Sequence, residues 1–283
     1  MNALVSIICI CHNHARFVTQ ALDSVIAQTY QPIELIVIDD ASTDGGGKII
    51  KQWLAHHPNA TLLLNAENIG YCKTFNRAFR IARGHYIIDL AADDILLPNR
   101  VEVGVAALEK AGREYGVTFS DAEHIDENGL TRWRHSDKYP HHTIPSGDIY
   151  IHLINRYFIC SPTMMLRREV LEAMNGYDES LTYEDFDLWI RASRTHKYIY
   201  TPQVLVRKRR VSYSLSQRQR KIGSDQSYST YQVCQKIRVL NRTEAERGAL
   251  DARLVYEMKT SLRQLNFKVL INYFQLWLMN RSN

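Results

Sequence analysis

The chain lacks most of the motifs that assign a function by themselves. Its 283 residues hold five cysteines, Cys9, Cys11, Cys72, Cys160 and Cys234, an odd count without a CxxC pair. That pattern indicates neither a disulfide framework nor a locally spaced zinc site, and a chain of this kind is expected in the reducing cytosol. No run of about 20 apolar residues is present, so no membrane-spanning helix is expected. No basic segment with a cleavage site precedes the first strand-like stretch, so no signal peptide is expected. The phosphate motifs GxxxxGK[ST] and GxGxxG are absent, and Gly45-Gly46-Gly47 fits neither spacing, which argues against a lysine-cradled triphosphate. HExxH is absent too, and His56-His57 and His141-His142 sit in polar stretches, so spacing points to no histidine-bound metal. There is no internal repeat and no low-complexity tract. A net charge of +5 is too mild to imply nucleic acid.

What is present is an ordinary globular composition, 45% hydrophobic and 23% charged. The length suits one large α/β domain or two coupled halves. Leu4 to Ile10 and Ile33 to Ile38 read as buried strands, and Thr61 to Leu64 and Tyr86 to Leu90 as two more. Helical spacing from Ala21 to Ile26, Ile49 to Leu54 and Tyr71 to Ala82 falls between them, with Pro32 and Gly84 as stops. Such alternation predicts a mostly parallel sheet wrapped by helices. Beyond Pro98 the spacing predicts a helix over Asn99 to Ala111 and a strand near Val117 to Ser120. It predicts a polar surface loop over Asp126 to Gly147, and helices over Arg168 to Met174 and Glu184 to Ser193. Mostly helix is expected after Ser216. The pattern therefore divides the chain into a stretch over 1–98, a second over 99–216, and a helical extension over 217–283.

Three acidic clusters stand out. Asp39-Asp40-Ala41-Ser42-Thr43-Asp44 and Asp93-Asp94 both follow buried strands, and open parallel sheets bind ligands at the carboxyl ends of their strands. Carboxylates in the first cluster suit a nucleobase or ribose, and a capping turn accounts for the same residues. Adjacent acids in the second suit a hard divalent cation, or a helix cap before Pro98. The third, Glu184-Asp185-Phe186-Asp187, opens a helix, where the dipole alone favours acids and a shared polar site is the sharper reading. A basic run, Arg207-Lys208-Arg209-Arg210 with Arg218, Arg220 and Lys221, suits a pyrophosphate, anionic lipid or a solvated face.

Taken in order, these segments resemble the family 2 glycosyltransferases of the GT-A fold. The resemblance is carried by Val5-Ser6-Ile7-Ile8 with His12-Asn13, and by Ala21-Leu22-Asp23-Ser24-Val25 with Gln28-Thr29-Tyr30. It continues through Glu34 to Asp44, Asn68 and Gly70 with Asn76, Gly84-His85-Tyr86-Ile87, and Gly176-Tyr177-Asp178 before Glu184-Asp185. It covers about Leu4 to Ser216. The resemblance implies an inverting hexosyltransferase that moves a sugar from a nucleotide diphosphate, UDP by default, onto an acceptor hydroxyl with Mn2+ or Mg2+ as cofactor. It implies that Asp40, with Asp39 beside it, contacts the base, and that Asn13 and Asn76 belong to the nucleotide site. Asp93 would be the metal ligand, Asp185 the general base, and Glu184 a residue that orients the acceptor. Two departures matter. Ala91 replaces the first acid of the family's DxD, which motivates the alternative of a catalytically silent nucleotide-sugar-binding module. Where some members place a metal-binding histidine this chain has the basic run, so Arg209 is expected on the diphosphate.

The implied partners are a nucleotide-sugar donor and a glycan or lipid-linked glycan acceptor, without nucleic acid. The implied setting is surface polysaccharide or lipopolysaccharide assembly, cytoplasmic and peripheral at the inner face of the membrane. Near the C-terminus, Leu262, Leu265, Val269, Tyr273 and Leu276 form one helical stripe, and Phe267, Ile271, Phe274 and Leu278 a second. These stripes suit packing on the catalytic domain or another subunit, or a helix lying on an anionic membrane beside Lys259, Arg263 and Lys268.

Overall fold

Residues 2–139, 144–211 and 225–282 are described by a computed structural model of the chain. They fall into two compact units. The first comprises Met1–Gly147, Ile159–Tyr177 and His196–Arg210; the second comprises Asp148–Phe158, Asp178–Thr195 and Val211–Asn283.

The first unit is built on one sheet, to which nine strands contribute among the described residues. Its parallel half is β1 (Val5–Cys11), β2 (Ile33–Asp39), β3 (Thr61–Leu64) and β4 (Tyr86–Ala91), in the order β3-β2-β1-β4. Every residue of β1 is buried, as a central strand covered on both faces requires. The connections carry α1 (Val18–Ile26), α2 (Gly46–Leu54) and α3 (Tyr71–Phe79). These elements follow the sequence pattern to within a few residues, because apolar runs bounded by Asn, Pro and Gly leave little choice.

The other half holds β5 (Ile95–Leu96), β6 (Tyr115–Ile125), β7 (Thr131–Arg134), β8 (Met165–Arg167) and β9 (Lys197–Arg209), with α4 (Arg100–Ala111) and α6 (Arg168–Ala173). The order continues β4-β8-β6-β9-β5, with β7 on β6. β8 runs antiparallel to both β4 and β6, while β6 and β9 are parallel.

Here the sequence expectation needs correction. The stretch expected as a polar loop contains β7 and a 3-10 turn, His135–Lys138, with His135 buried. β6 continues five residues past the expected end at Ser120, through Asp121, Glu123 and His124. The basic run, read as a charged clamp or face, is in part the end of β9. Arg218, Arg220 and Lys221 lie outside the described residues.

Gly84 packs the entry of β4 onto the start of β1. Its N–H donates to Ser6 Oγ at 2.7 Å, and a Cβ there would overlap the Ser6 backbone nitrogen, holding the entry to β4 tight against β1. Gly84→Ala is expected to cost about 1–3 kcal/mol by overpacking, read as a lower denaturation midpoint with an unchanged slope.

The second unit is helical: α5 (Tyr150–Asn155), α7 (Asp185–Ala192), α8 (Asp225–Leu240), α9 (Glu244–Arg263) and α10 (Phe267–Arg281). The Thr243 and Glu246 side chains form a capping box at the start of α9. Its core is organised by buried Arg253, whose guanidinium pairs with Glu257 at 2.7 Å and lies over the Tyr157 and Phe186 rings. Of the two C-terminal stripes, Val269, Tyr273 and Leu276 are buried, whereas Phe267, Ile271, Phe274 and Leu278 are 48–56% exposed. Leu262 and Leu265 do not continue the buried stripe. Leu265 takes a left-handed φ of +53° after the end of α9, and Asn266 then caps α10.

Candidate active site

Strand order reverses at β1, with β2 on one side and β4 on the other. A crevice outside the carboxyl ends of such strands is where open α/β sheets bind ligands. Four loops meet there in the first unit: residues 12–15, 40–45, 65–70 and 92–94.

The first two loops interlock through side chains. Asp39 accepts from the Ser42 N–H at 3.2 Å and from Ser42 Oγ at 2.5 Å. Ser42 Oγ in turn accepts from the Asn13 N–H at 2.9 Å, and Asn13 Oδ1 accepts from the Thr43 N–H at 2.8 Å. Asp44 accepts from the Gly46 N–H at the start of α2 and from the Ala15 N–H. Asn13 and Ala41 both sit at left-handed φ, +58° and +54°. Asn tolerates that region; Ala does so at a cost, and strained turns of this kind cluster at functional sites.

Asp40 is buried and its carboxylate organises the third loop. It accepts from Asn65 Nδ2 at 2.7 Å, Ile69 N–H at 3.0 Å and Gly70 N–H at 3.2 Å. The Asp40 carbonyl accepts from His12 Nδ1 at 2.7 Å, which fixes the tautomer and leaves Nε2 to accept from Asn68 Nδ2 at 3.0 Å.

The fourth loop separates the two adjacent acids. Asp94 is turned inward and accepts from the Arg209 N–H at 2.8 Å, because β5 pairs with β9 at Ile95 and Leu96. Burial, and next the charge of Asp93, push its carboxyl well above the usual carboxylate range. Asp93 Oδ1 lies 3.9 Å from His14 Nδ1, a buried nitrogen without a hydrogen-bond partner among the described residues. A carboxylate beside an orphaned imidazole nitrogen fits a divalent cation completed by phosphate oxygens.

Two expected ligand-binding residues are used by the protein itself. Arg209 is buried, and burial lowers its pKa. Its guanidinium donates to the carbonyls of Asp93, Asp126 and Glu127 and to Gln20 Oε1, over the face of Phe17. Asn76 spends its amide on the Tyr177 backbone, donating to the carbonyl at 2.8 Å and accepting from the N–H at 2.9 Å, against Gly176. Sequence reasoning passed over Asp89, on the same face of β4 as Ala91, whose carboxylate accepts from the hydroxyls of Tyr71 and Tyr177. An acid inside an apolar strand was the available signal.

In the second unit the third acidic cluster sorts itself. Asp187 is buried and pairs with Arg191 at 2.6 Å and Lys236 at 2.5 Å; Lys236 also binds Asp178. Burial raises the Asp178 carboxyl, but bonds from Lys236 and Ser180 outweigh it and bring it to about 2. Asp185, at the first turn of α7, is left with a buried Oδ1 that has no partner among the described residues. Glu184 precedes it as the N-cap residue.

The sequence model of glycosyl transferase family 2 matches residues 6–174. The chain is 30% identical over 240 residues to a putative glycosyltransferase, EpsE, of Bacillus subtilis (strain 168), covering 83% of each. It spans 30% to 64% of the length of further curated relatives. Among solved structures, S. aureus TarS 1-349 in complex with UDP-GlcNAc aligns with a TM-score of 0.72 at 17% identity, over 98% of this chain and 79% of that one. The mannosyltransferase PcManGT from Pyrobaculum calidifontis, in complex with GDP-Man and Mn2+, aligns with a TM-score of 0.65 at 18% identity, over 100% of this chain and 76% of that one. At these identities the likeness establishes a shared fold, the GT-A architecture.

Proposed function

Because the chain belongs to glycosyl transferase family 2, we propose that it transfers a sugar from a nucleotide diphosphate sugar, UDP-linked, to an acceptor hydroxyl with inversion. The reading rests chiefly on Asp93, an acid at the strand switch point beside the orphaned His14 nitrogen. Donor complexes of TarS and PcManGT, with UDP-GlcNAc and with GDP-Man and Mn2+, support the donor class.

In this reading Asp39, Asp40 and Asn13 shape the nucleotide pocket by fixing the loops around it. Arg209 and Asn76 act from behind: Arg209 holds the Asp93 carbonyl, and Asn76 holds Tyr177, whose hydroxyl meets Asp89. Asp93 would hold Mn2+ or Mg2+, which when bound offsets charge developing on the diphosphate. Asp185 takes the proton from the acceptor hydroxyl, and Glu184 orients that acceptor. A single in-line displacement inverts the anomeric centre. Thermal stabilisation by a panel of nucleotide sugars with Mn2+ tests the reading. One UDP-sugar is expected to stabilise selectively, by about 2.7 kcal/mol at a hundredfold excess over Kd. No stabilisation by any donor would overturn it.

Ala91, in place of an acid, favours one second reading, a nucleotide-sugar-binding module without turnover. Donor hydrolysis or transfer by a stabilised complex excludes it.

We further propose that the chain works at the inner face of a membrane, in surface polysaccharide or lipopolysaccharide assembly. The exposed stripe Phe267, Ile271, Phe274 and Leu278, with Lys259, Arg263 and Lys268 nearby in sequence, suits an anionic lipid surface. The full chain is expected to pellet with anionic vesicles, and a form lacking residues 260–283 to stay in the supernatant. Equal pelleting, or a stable dimer through this stripe, would count against a lipid contact.

A further inference from the structure

Away from Asp93, β6, the 3-10 turn after β7 and the segment before β8 bring three side chains together. His124, His135 and Cys160 are 6%, 8% and 2% exposed, and one ligand-type atom from each lies within 4.8 Å of the others. His124 Nε2 and His135 Nδ1 are 3.3 Å apart. Two nitrogens each bound at 2.0–2.1 Å to one tetrahedral ion stand about 3.3 Å apart as well. His124 Nδ1 is buried without a hydrogen-bond partner among the described residues. The His124 ring stacks on Trp133 at 5.0 Å, and Arg210 covers the other ring of that pair. The stacking thus holds the imidazole plane in place before any ligand arrives.

We propose that His124, His135 and Cys160 form a binding site for Zn2+, distinct from the oxygen site at Asp93. The donor chemistry selects the ion. Two imidazoles and a thiolate suit zinc, whereas Mn2+ and Mg2+ prefer carboxylate, phosphate and water oxygens. Both imidazoles bind as neutral ligands. On binding, the Cys160 thiol becomes a thiolate and its proton passes to solvent. The three protein ligands leave a fourth position for water. Zinc here would tie the end of β6, the β7 hairpin and the approach to β8 into one block, and Arg209 contacts the Asp126 and Glu127 carbonyls at the tip of that hairpin.

A simple hydrogen bond between the imidazoles would give the same separation, so the experiment must report the thiolate. Full-length protein, stripped with chelator and titrated with Co2+, is expected to develop a thiolate-to-cobalt charge-transfer band in the near ultraviolet, displaced by one equivalent of Zn2+. Cys160→Ser is expected to abolish the band, and His135→Gln to weaken zinc binding by about 10-fold or more. Asp93→Ala should keep the band, which separates this site from the catalytic metal. Far-ultraviolet circular dichroism checks the fold of each variant; if Cys160→Ser fails to fold, His135→Gln decides. No band in the parent chain, or a band unchanged in Cys160→Ser or His135→Gln, overturns the proposal.

Discussion

Asp185→Asn is expected to lower kcat by about 10²-fold or more while donor binding is retained. Asparagine keeps the shape and one oxygen of the side chain but cannot take a proton. Of the acids that open α7, Asp187 is held by Arg191 and Lys236, so it cannot stand in as base. Asp185 keeps a buried oxygen without a partner among the described residues. A sugar hydroxyl is a far weaker acid than a carboxylic acid, so proton transfer should come late, as the new bond forms. Single-turnover transfer and equilibrium donor binding, measured on the same variant, separate the two effects. Parent-like turnover would remove Asp185 from the mechanism.

Asp93→Ala is expected to abolish the dependence of donor affinity on divalent ion. With Ala91 in the place of an acid and Asp94 committed to the Arg209 N–H, no second carboxylate of this loop is available to take over the cation. The loss should appear as calorimetric donor affinity that no longer rises with Mn2+, and as a large fall in kcat/KM. His14, 3.9 Å away, would then face an apolar gap. Equal affinity of the parent chain with and without metal would contradict the assignment.

Much of the first unit was legible because its strands are largely apolar runs with polar residues at or just beyond their ends. Cys11, Asp39 and Ala91 end β1, β2 and β4, and the loops beyond them carry the clustered polar residues. The rest was hidden for physical reasons. β9 contains Pro202 and ends in a basic run, so its composition argues against a strand. Its pairing with β6 over ten registered positions decides otherwise, a tertiary contact that local propensity cannot see. β6 carries Asp121 and His124 in its interior because their side chains find partners from the following turn, Ser136 and His135. Arg209 was expected on the diphosphate because charge is visible in a sequence and burial is not. The histidine and cysteine cluster escaped spacing rules because its members are 11 and 25 or more residues apart in sequence.

β8 has three residues and sits between β4 and β6, antiparallel to both. On the ribosome, β4 therefore waits for a wedge encoded some 74 positions downstream, the separation of Ala91 and Met165. Until then its outer edge offers bare amides and carbonyls to any passing strand. A product truncated before Met165 would carry most of the parallel half with that edge open, and would be a substrate for chaperones or for self-association rather than a smaller working enzyme.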